Sequence, residues 1–173
     1  MTLRLVCNAL GISGSAMFAG VMLAIGVTLG SYWKTLPPEG FLDWFGQNIP
    51  LIMRSITLVL PATLVGMTGS LWLSWADRRA RPLWLAGSGC ILAILLITAA
   101  YFLPSNASFA GRSIPLDQVP AALDTWLLVH NVRIALALLA SVLGVVAIGR
   151  ESAGAGPEDP VGVSTAHPGG SLA

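Results

Sequence analysis

Three side chains that could do chemistry lie together near the start of the last apolar segment. Trp126, His130 and Arg133 are spaced i, i+4 and i+7. On an α-helix these positions fall within about 60° of one another and form one stripe roughly 10 Å long. An imidazole titrates near neutral pH, a guanidinium can stabilise the anion that deprotonation leaves, and an indole can stack on a flat ring. The stripe therefore predicts proton transfer on an aromatic ligand.

Two more polar residues are expected at the same end of the fold. Arg54 enters the second apolar segment about one turn from its start, and Asn106 follows Pro104 in the connection before the last segment. An amide can stabilise an enolate or phenolate in the same way as a guanidinium. The predicted catalytic residues are therefore His130, Arg133 and Asn106, and Trp126 and Arg54 are predicted to contact the substrate.

A purely structural interpretation competes with this one. An arginine near a helix end can extend to the lipid headgroups, and a tryptophan there can belong to the interfacial belt. Both arginines could also pair with acidic residues of the connecting segments, namely Glu39, Asp43, Asp117 and Asp124. For Arg54 alone we favour this interpretation. For His130 with Arg133 we favour function, because an ionisable group in a membrane helix costs about 2.5–3.5 kcal/mol and apolar residues could have opened the helix instead.

The composition requires a membrane for most of the chain. Of the 173 residues, 55% are apolar and only 10% are charged, against roughly 25% charged in soluble domains. We predict an all-α, integral membrane four-helix bundle over residues 1–150, with a disordered cytoplasmic tail over 151–173. The predicted spans cover about 5–32, 52–76, 83–103 and 126–149, each near the roughly 20 residues that a crossing needs. A net charge of +1 gives no electrostatic basis for binding nucleic acid.

The connecting segments predict further helices and an orientation. Aromatic residues in 37–48 and the apolar run 116–123 favour a short interfacial helix in each of the two outer loops. Arg78, Arg79 and Arg81 lie between the second and third spans, and Arg4 and Arg150 lie at the termini. The excess of basic residues on that side predicts that both termini are cytoplasmic.

Small residues at spacing four predict where the spans pack closely. Such residues are Ala16, Gly20 and Ala24, then Gly26 and Gly30, in the first span, Gly66 and Ser70 in the second, Ala86 and Cys90 in the third, and Ala140 and Gly144 in the fourth. The two cysteines lie in apolar runs without a histidine or cysteine at metal-ligand spacing, so we predict no disulfide framework and no metal site.

Several segments together resemble the anthrone-oxygenase-like family of small four-span membrane proteins, many of them bacterial. The matching features are Phe-Ala-Gly-Val-Met-Leu-Ala-Ile-Gly at 18–26, Pro104 with Asn106, and the motif Trp126-x-x-x-His130-x-x-Arg133. The resemblance covers roughly residues 8–148. It implies a cofactor-independent oxygenase of the bacterial inner membrane that converts an anthrone to an anthraquinone. In that scheme His130 is the base, Arg133 and Asn106 stabilise the anion, and Trp126 is a wall of the pocket.

Two other functions stay open at this point. The chain could bind a lipid or quinone, or partner another membrane protein, without catalysis. It could also be a small transporter, which is the weakest reading because no charge lies near the middle of a span and no repeat relates the two halves. The expected partners are membrane lipid and an apolar aromatic small molecule, and the sequence indicates no oligomeric state.

Overall fold

The computed structural model of the protein describes residues 3–154, and the side chains of residues 3–151. Four long helices follow one another: α1 (Leu3–Trp33), α2 (Pro38–Leu73), α3 (Arg81–Ala110) and α4 (Val119–Gly154), the last preceded by a 3₁₀ turn at Leu116–Gln118. All four are long and apolar enough to cross a membrane. The predicted all-α four-span bundle is therefore confirmed, and the chain is an integral membrane protein.

Consecutive helices run in opposite directions, so the bundle has two distinct ends. We call the end that carries Leu3, Ser74 and Glu151 the terminal end. The opposite end carries Trp33, Pro38, Ala110 and Val119, and we call it the aromatic end. The predicted stripe of Trp126, His130 and Arg133, which we call the charged stripe after Arg133, lies toward the aromatic end.

The two separate interfacial helices are not present, and this prediction is wrong. The 37–48 segment forms the first turns of α2, which runs unbroken for 36 residues. Phe41 and Phe45 are one helical turn apart and both are buried, so the same helix face continues from the loop onto the bundle. In the other loop, Leu116–Gln118 is a single 3₁₀ turn that leads directly into α4.

The last helix also continues past the predicted boundary at residue 150. Glu151 accepts hydrogen bonds on Oε1 from Ser74 Oγ (2.7 Å) and Trp84 Nε1 (3.2 Å), and Asn8 Nδ2 donates to its Oε2 (3.3 Å). Arg4 forms an ion pair with the same carboxylate at 3.0 Å. One residue from the predicted tail thus connects all four helices at the terminal end. The rest of that tail, from residue 155, lies outside the described residues.

The closest helix approach joins α1 to α2 through glycine. A Cβ atom added at Gly11 would meet the backbone of Gly66 at 3.1 Å, and one added at Gly14 would meet Thr63 at 2.8 Å. The predicted stripe in α2 is correct, since Gly66 and Ser70 are buried. In α1 the first part of the predicted stripe is wrong: Ala16, Gly20 and Ala24 are exposed, because the packed face of α1 is the one that carries Gly11. Gly26 and Gly30 do pack closely, since a Cβ atom added there would meet side chains of α4 at 3.1 Å and 2.6 Å.

The other two stripes divide in the same way. Ala140 and Gly144 of α4 are buried as predicted, whereas Ala86 of α3 is exposed and Gly87 beside it is buried. Small residues occur on several faces of an apolar helix, so their spacing alone does not identify the packed face.

Two of the helices contain a π turn at the level of the charged stripe. One covers Ile25–Leu29 in α1 and the other covers Thr98–Phe102 in α3. Pro104 accounts for the second, because it has no N–H to give to the preceding turn and its ring would clash with the carbonyl of residue 100. π turns often occur at functional sites, since they re-aim the side chains around them.

Candidate active site

His130 is completely buried and both of its ring nitrogens have a partner. Nη2 of Arg133 lies 2.7 Å from Nδ1, and the backbone carbonyl oxygen of Met22 lies 2.8 Å from Nε2. A guanidinium only donates and a carbonyl only accepts. The contacts therefore assign Nδ1 as the acceptor and Nε2 as the N–H donor, which describes a neutral imidazole of defined tautomer.

Arg133 is buried, with 5% of its surface exposed, and it is held by uncharged groups. Its Nη1 donates to Thr98 Oγ1 at 3.2 Å, and its guanidinium carbon lies 3.3 Å from the centre of the Phe102 ring. Such a cation–π contact stabilises a desolvated cation. The Nε–H has no acceptor among the described residues. The guanidinium thus uses only two of its five N–H donors.

No carboxylate of the described residues forms an ion pair with Arg133. Of the four acidic residues considered above, two are paired elsewhere at the aromatic end: Asp43 with Arg112 at 2.5 Å and Asp124 with Lys34 at 2.7 Å. A buried cation normally has an anionic partner. Arg133 therefore has unused N–H donors and no anionic partner among the described residues.

Trp126 is stacked on the His130 ring. The ring centroids are 4.8 Å apart and the planes differ by 12°. The indole is fixed in turn by Asn106, because Nε1 of Trp126 donates to Oδ1 of Asn106 at 2.9 Å. The side-chain oxygen of Asn106 thus accepts from the indole, and its NH₂ group takes no part in this bond.

Gly26 makes room for the imidazole. It lies inside the π turn of α1, and a Cβ atom added there would stand 3.1 Å from Cδ2 of His130 and 3.6 Å from Nε2. The first of these distances is shorter than ordinary van der Waals contact between carbon atoms. Glycine at this position therefore allows His130 to reach the carbonyl of Met22.

A cavity of about 290 Å³ opens beside these residues. Its walls are mostly apolar side chains of α1, α2 and α3, and its polar wall is formed by Thr57, Thr98, Asn106, Trp126, His130 and Arg133. A cavity of this size with few convergent polar groups has the character of a small-molecule site. The structure therefore places an apolar space directly against the charged stripe.

Four of the five residues singled out in the sequence line this cavity: Asn106, Trp126, His130 and Arg133. Arg54 does not line it and is exposed on α2. Since Met53 does line the cavity, the direction of the Arg54 side chain and not its height in the bundle separates it from the site.

Sequence reasoning did not assign Met22, Gly26, Thr98 and Phe102 to the site. The last two could have been found, because Thr98, Phe102 and Asn106 are spaced by four and share a face of α3. Met22 contributes only its backbone carbonyl, which every residue has, so the residue type could not have indicated this role. The role of Gly26 depends on a close approach between two helices that are far apart in the sequence.

An aromatic cluster closes the site toward the aromatic end. Trp33 packs edge-on against Trp126 with centroids 5.5 Å apart, and against Phe41 at 5.8 Å. Phe109 packs against Phe41 at 5.2 Å and against Phe45 at 5.4 Å. These five residues, which we call the aromatic cap, are each at most 3% exposed. The cap separates the cavity from the nearer water-facing surface.

The described residues contain no group of three or more histidine, cysteine, aspartate or glutamate side chains placed to hold a metal ion.

In comparison with known proteins, residues 49–143 match the model of the anthrone oxygenase family. The match covers more than half of the chain and includes Asn106, Trp126, His130 and Arg133. No curated protein and no solved structure gives a significant match.

Proposed function

The chain belongs to the anthrone oxygenase family, and we propose that it is a cofactor-independent oxygenase that converts an anthrone-like, apolar aromatic substrate to the corresponding quinone. The observation that carries this proposal is the contact between Arg133 and His130 at the wall of an apolar cavity. A proton acceptor and an anion-stabilising cation lie side by side, and the space next to them suits a flat apolar ring.

The first step is removal of a proton from the ring CH₂ of the substrate. The oxygen of the substrate takes over the N–H of Arg133 Nη2, which frees the lone pair of His130 Nδ1 to accept that proton. The carbonyl of Met22 holds the Nε2–H throughout, so the imidazolium that forms keeps one hydrogen bond to an oxygen. Arg133 then faces the enolate oxygen with the donors that it does not otherwise use.

The second step joins the carbanion to O₂. A C–O bond forms, the resulting peroxide anion takes the proton back from His130, and loss of water leaves a carbonyl group. In total one CH₂ group and one O₂ molecule become one C=O group and one water. The substrate loses four electrons and O₂ gains them, so the reaction needs no further reductant or oxidant.

The route of the oxygen atom tests this proposal. Purified protein in lipid nanodiscs is given anthrone under ¹⁸O₂, and the quinone is analysed by mass spectrometry. We expect one ¹⁸O atom in each product molecule, formed faster than in nanodiscs without protein. A rate equal to that of spontaneous oxidation, across a panel of hydroxylated anthrones, would reject the oxygenase.

A second function is favoured by one specific observation. Both nitrogens of His130 are already paired, and a histidine in this state can serve to hold Arg133 in place. The protein would then bind a lipid or a quinone through the guanidinium without catalysis. In that case ligand retention would depend on Arg133 and Trp126, and no O₂ would be consumed.

We further propose that the protein lies in a bacterial inner membrane with both termini in the cytoplasm. Five of the nine basic residues, Arg4, Arg78, Arg79, Arg81 and Arg150, stand at the terminal end. Such an excess marks the cytoplasmic side of a membrane protein. Labelling of single cysteines introduced at Arg78 and at Asp117 in intact cells tests the orientation: only the second should react with a reagent that does not cross the membrane.

A further inference from the structure

The cavity is closed at both ends of the bundle. Toward the aromatic end the aromatic cap covers it, with Trp33 and Phe41 each 1% exposed. Toward the terminal end Met67 and Trp84 are buried, and α1 and α2 meet there through Gly11 and Gly66. A molecule in water therefore has no open path to His130 along the axis of the bundle.

The cavity is open instead on its side, between α2 and α3. Thr57 and Pro61 of α2 and Leu103 of α3 line the cavity, and all three are also exposed on the outside of the bundle, Leu103 by 54%. Thr57 and Pro61 lie in the middle third of α2. In a membrane protein the outer surface at that height faces the hydrocarbon core of the bilayer.

We infer that the ligand enters the cavity sideways from the bilayer, through the gap between α2 and α3, as a neutral, lipid-dissolved weak acid with a flat apolar body. The inference rests on the proposed function only in taking this cavity as the substrate site. Thr57, Pro61 and Leu103 form the edge of the entrance, and Arg133 stands at its inner wall.

A ligand that enters from the bilayer must be electrically neutral. An anion in hydrocarbon is strongly disfavoured, so a ligand that arrives through lipid carries its acidic proton with it. Arg133 has no carboxylate partner among the described residues and becomes the counter-ion only after that proton has moved to His130. The negative charge on the ligand therefore forms only inside the cavity, next to the Arg133 cation.

The entrance has a neighbouring groove that provides a control. A second, open groove runs between α1 and α2 and is lined by Ser55, Leu51 and Trp44. Ser55 and Thr57 are both exposed on α2 and both donate to the carbonyl four residues before them. Thr57→Trp places an indole in the proposed entrance, and Ser55→Trp places the same indole outside it.

The experiment measures how fast a ligand that cannot react enters the site. Full-length protein in phosphatidylcholine nanodiscs is mixed with 1,8-dihydroxyanthraquinone, and the absorbance change of the bound dye is followed in a stopped-flow instrument. We expect association to be about tenfold slower in Thr57→Trp and within about twofold of wild type in Ser55→Trp. Leu103→Trp, which narrows the same gap from α3, should behave like Thr57→Trp and replaces it if that variant does not fold.

Equal association rates in wild type, Thr57→Trp and Leu103→Trp would overturn the lateral entrance, as would an equal slowing by Ser55→Trp. The proposed reaction fails separately. If the dye is blocked as expected but no anthrone is oxidised, the entrance stands and the oxygenase does not. If anthrone is oxidised but the dye associates equally fast in wild type, Thr57→Trp and Leu103→Trp, the oxygenase stands and the entrance does not.

Discussion

The guanidinium of Arg133 donates a hydrogen bond from Nη2 to Nδ1 of His130 over 2.7 Å. The two residues are three positions apart on α4, so one helix turn brings them together. Because a guanidinium has no acceptor, this bond alone fixes which imidazole nitrogen carries the lone pair. The nitrogen that would accept a proton from the substrate is therefore the one that Arg133 covers, and the first event in the proposed reaction is an exchange of partners at Nδ1.

The exchange of hydrogen-bond partners at Nδ1 predicts that a positive charge at position 133 is not sufficient for activity. Arg133→Lys keeps the cation, but a lysine ammonium lacks the planar fork that reaches both Thr98 and His130. We expect kcat for anthrone oxidation to fall roughly 100-fold, the usual effect of removing one donor to an oxyanion. Arg78→Lys, in the exposed connection between α2 and α3, is the control. Wild-type turnover in Arg133→Lys would mean that the fork geometry has no role.

Gly26 provides a test of the imidazole position. In Gly26→Ala the new methyl group would stand 3.1 Å from the His130 ring and push it away from Met22 and the cavity. Because a misplacement of about 1 Å can cost 100-fold in rate, we expect a roughly 10- to 100-fold loss of kcat. Gly20→Ala is a matched control on the same helix, since nothing lies within 4 Å of the added atom. If the two variants are equally active, His130 need not be held where the structure places it.

The hydrogen bond between Trp126 and Asn106 can be measured by a double-mutant cycle. Trp126→Phe removes the N–H and keeps an aromatic ring, and Asn106→Leu removes the acceptor. We expect a coupling of about 1 kcal/mol in the free energy of unfolding, the size of a net buried hydrogen bond. A coupling near zero would show that Asn106 does not hold the indole. The role predicted from the sequence, stabilisation of the substrate anion, would use the NH₂ group of Asn106 and does not depend on this coupling.

Glu151 is predicted to stabilise the terminal end of the bundle. Glu151→Ala removes the acceptor for Ser74, Trp84 and Asn8 and leaves the partly buried Arg4 without that carboxylate. We expect a loss of about 2–3 kcal/mol in the free energy of unfolding, in the range of charged hydrogen bonds. Glu39→Ala, at an exposed position in the first turn of α2, should change it by less than about 0.5 kcal/mol. Activity per folded molecule should be unchanged in both, because Glu151 lies at the opposite end from the cavity.

The sequence was sufficient to predict the four crossings and the polar face of α4. Both follow from local patterns: long apolar runs for the helices, and the spacing of Trp126, His130 and Arg133 for the shared face. The aromatic residues of 37–48 were recognised as a group, but they extend α2 and cap the cavity because Phe41 and Phe45 meet Trp33 and Phe109 from other helices. Such pairings are set by the tertiary fold and are not present in any local pattern.

The same limit explains Glu151 and Met22. In the sequence, Glu151 stands next to a polar segment and looks like part of it. Its structural role depends on contacts with Arg4 and Trp84, which come from other helices. Met22 acts through its backbone carbonyl, next to a π turn that no residue spacing announces. The site could therefore be predicted as a stripe on one helix, whereas the contacts from α1 and α3 that hold His130 and Arg133 in place come from the tertiary fold.

The central claim is that His130 takes the proton that starts the reaction with O₂. The most direct measurement is O₂ uptake by the purified protein with anthrone, comparing wild type with His130→Gln and with His167→Ala, which changes the only other histidine. We expect His130→Gln to lose about 100-fold or more of the protein-dependent rate, the usual contribution of a positioned base, and His167→Ala to retain it. Uptake in His130→Gln equal to that of wild type would contradict the account.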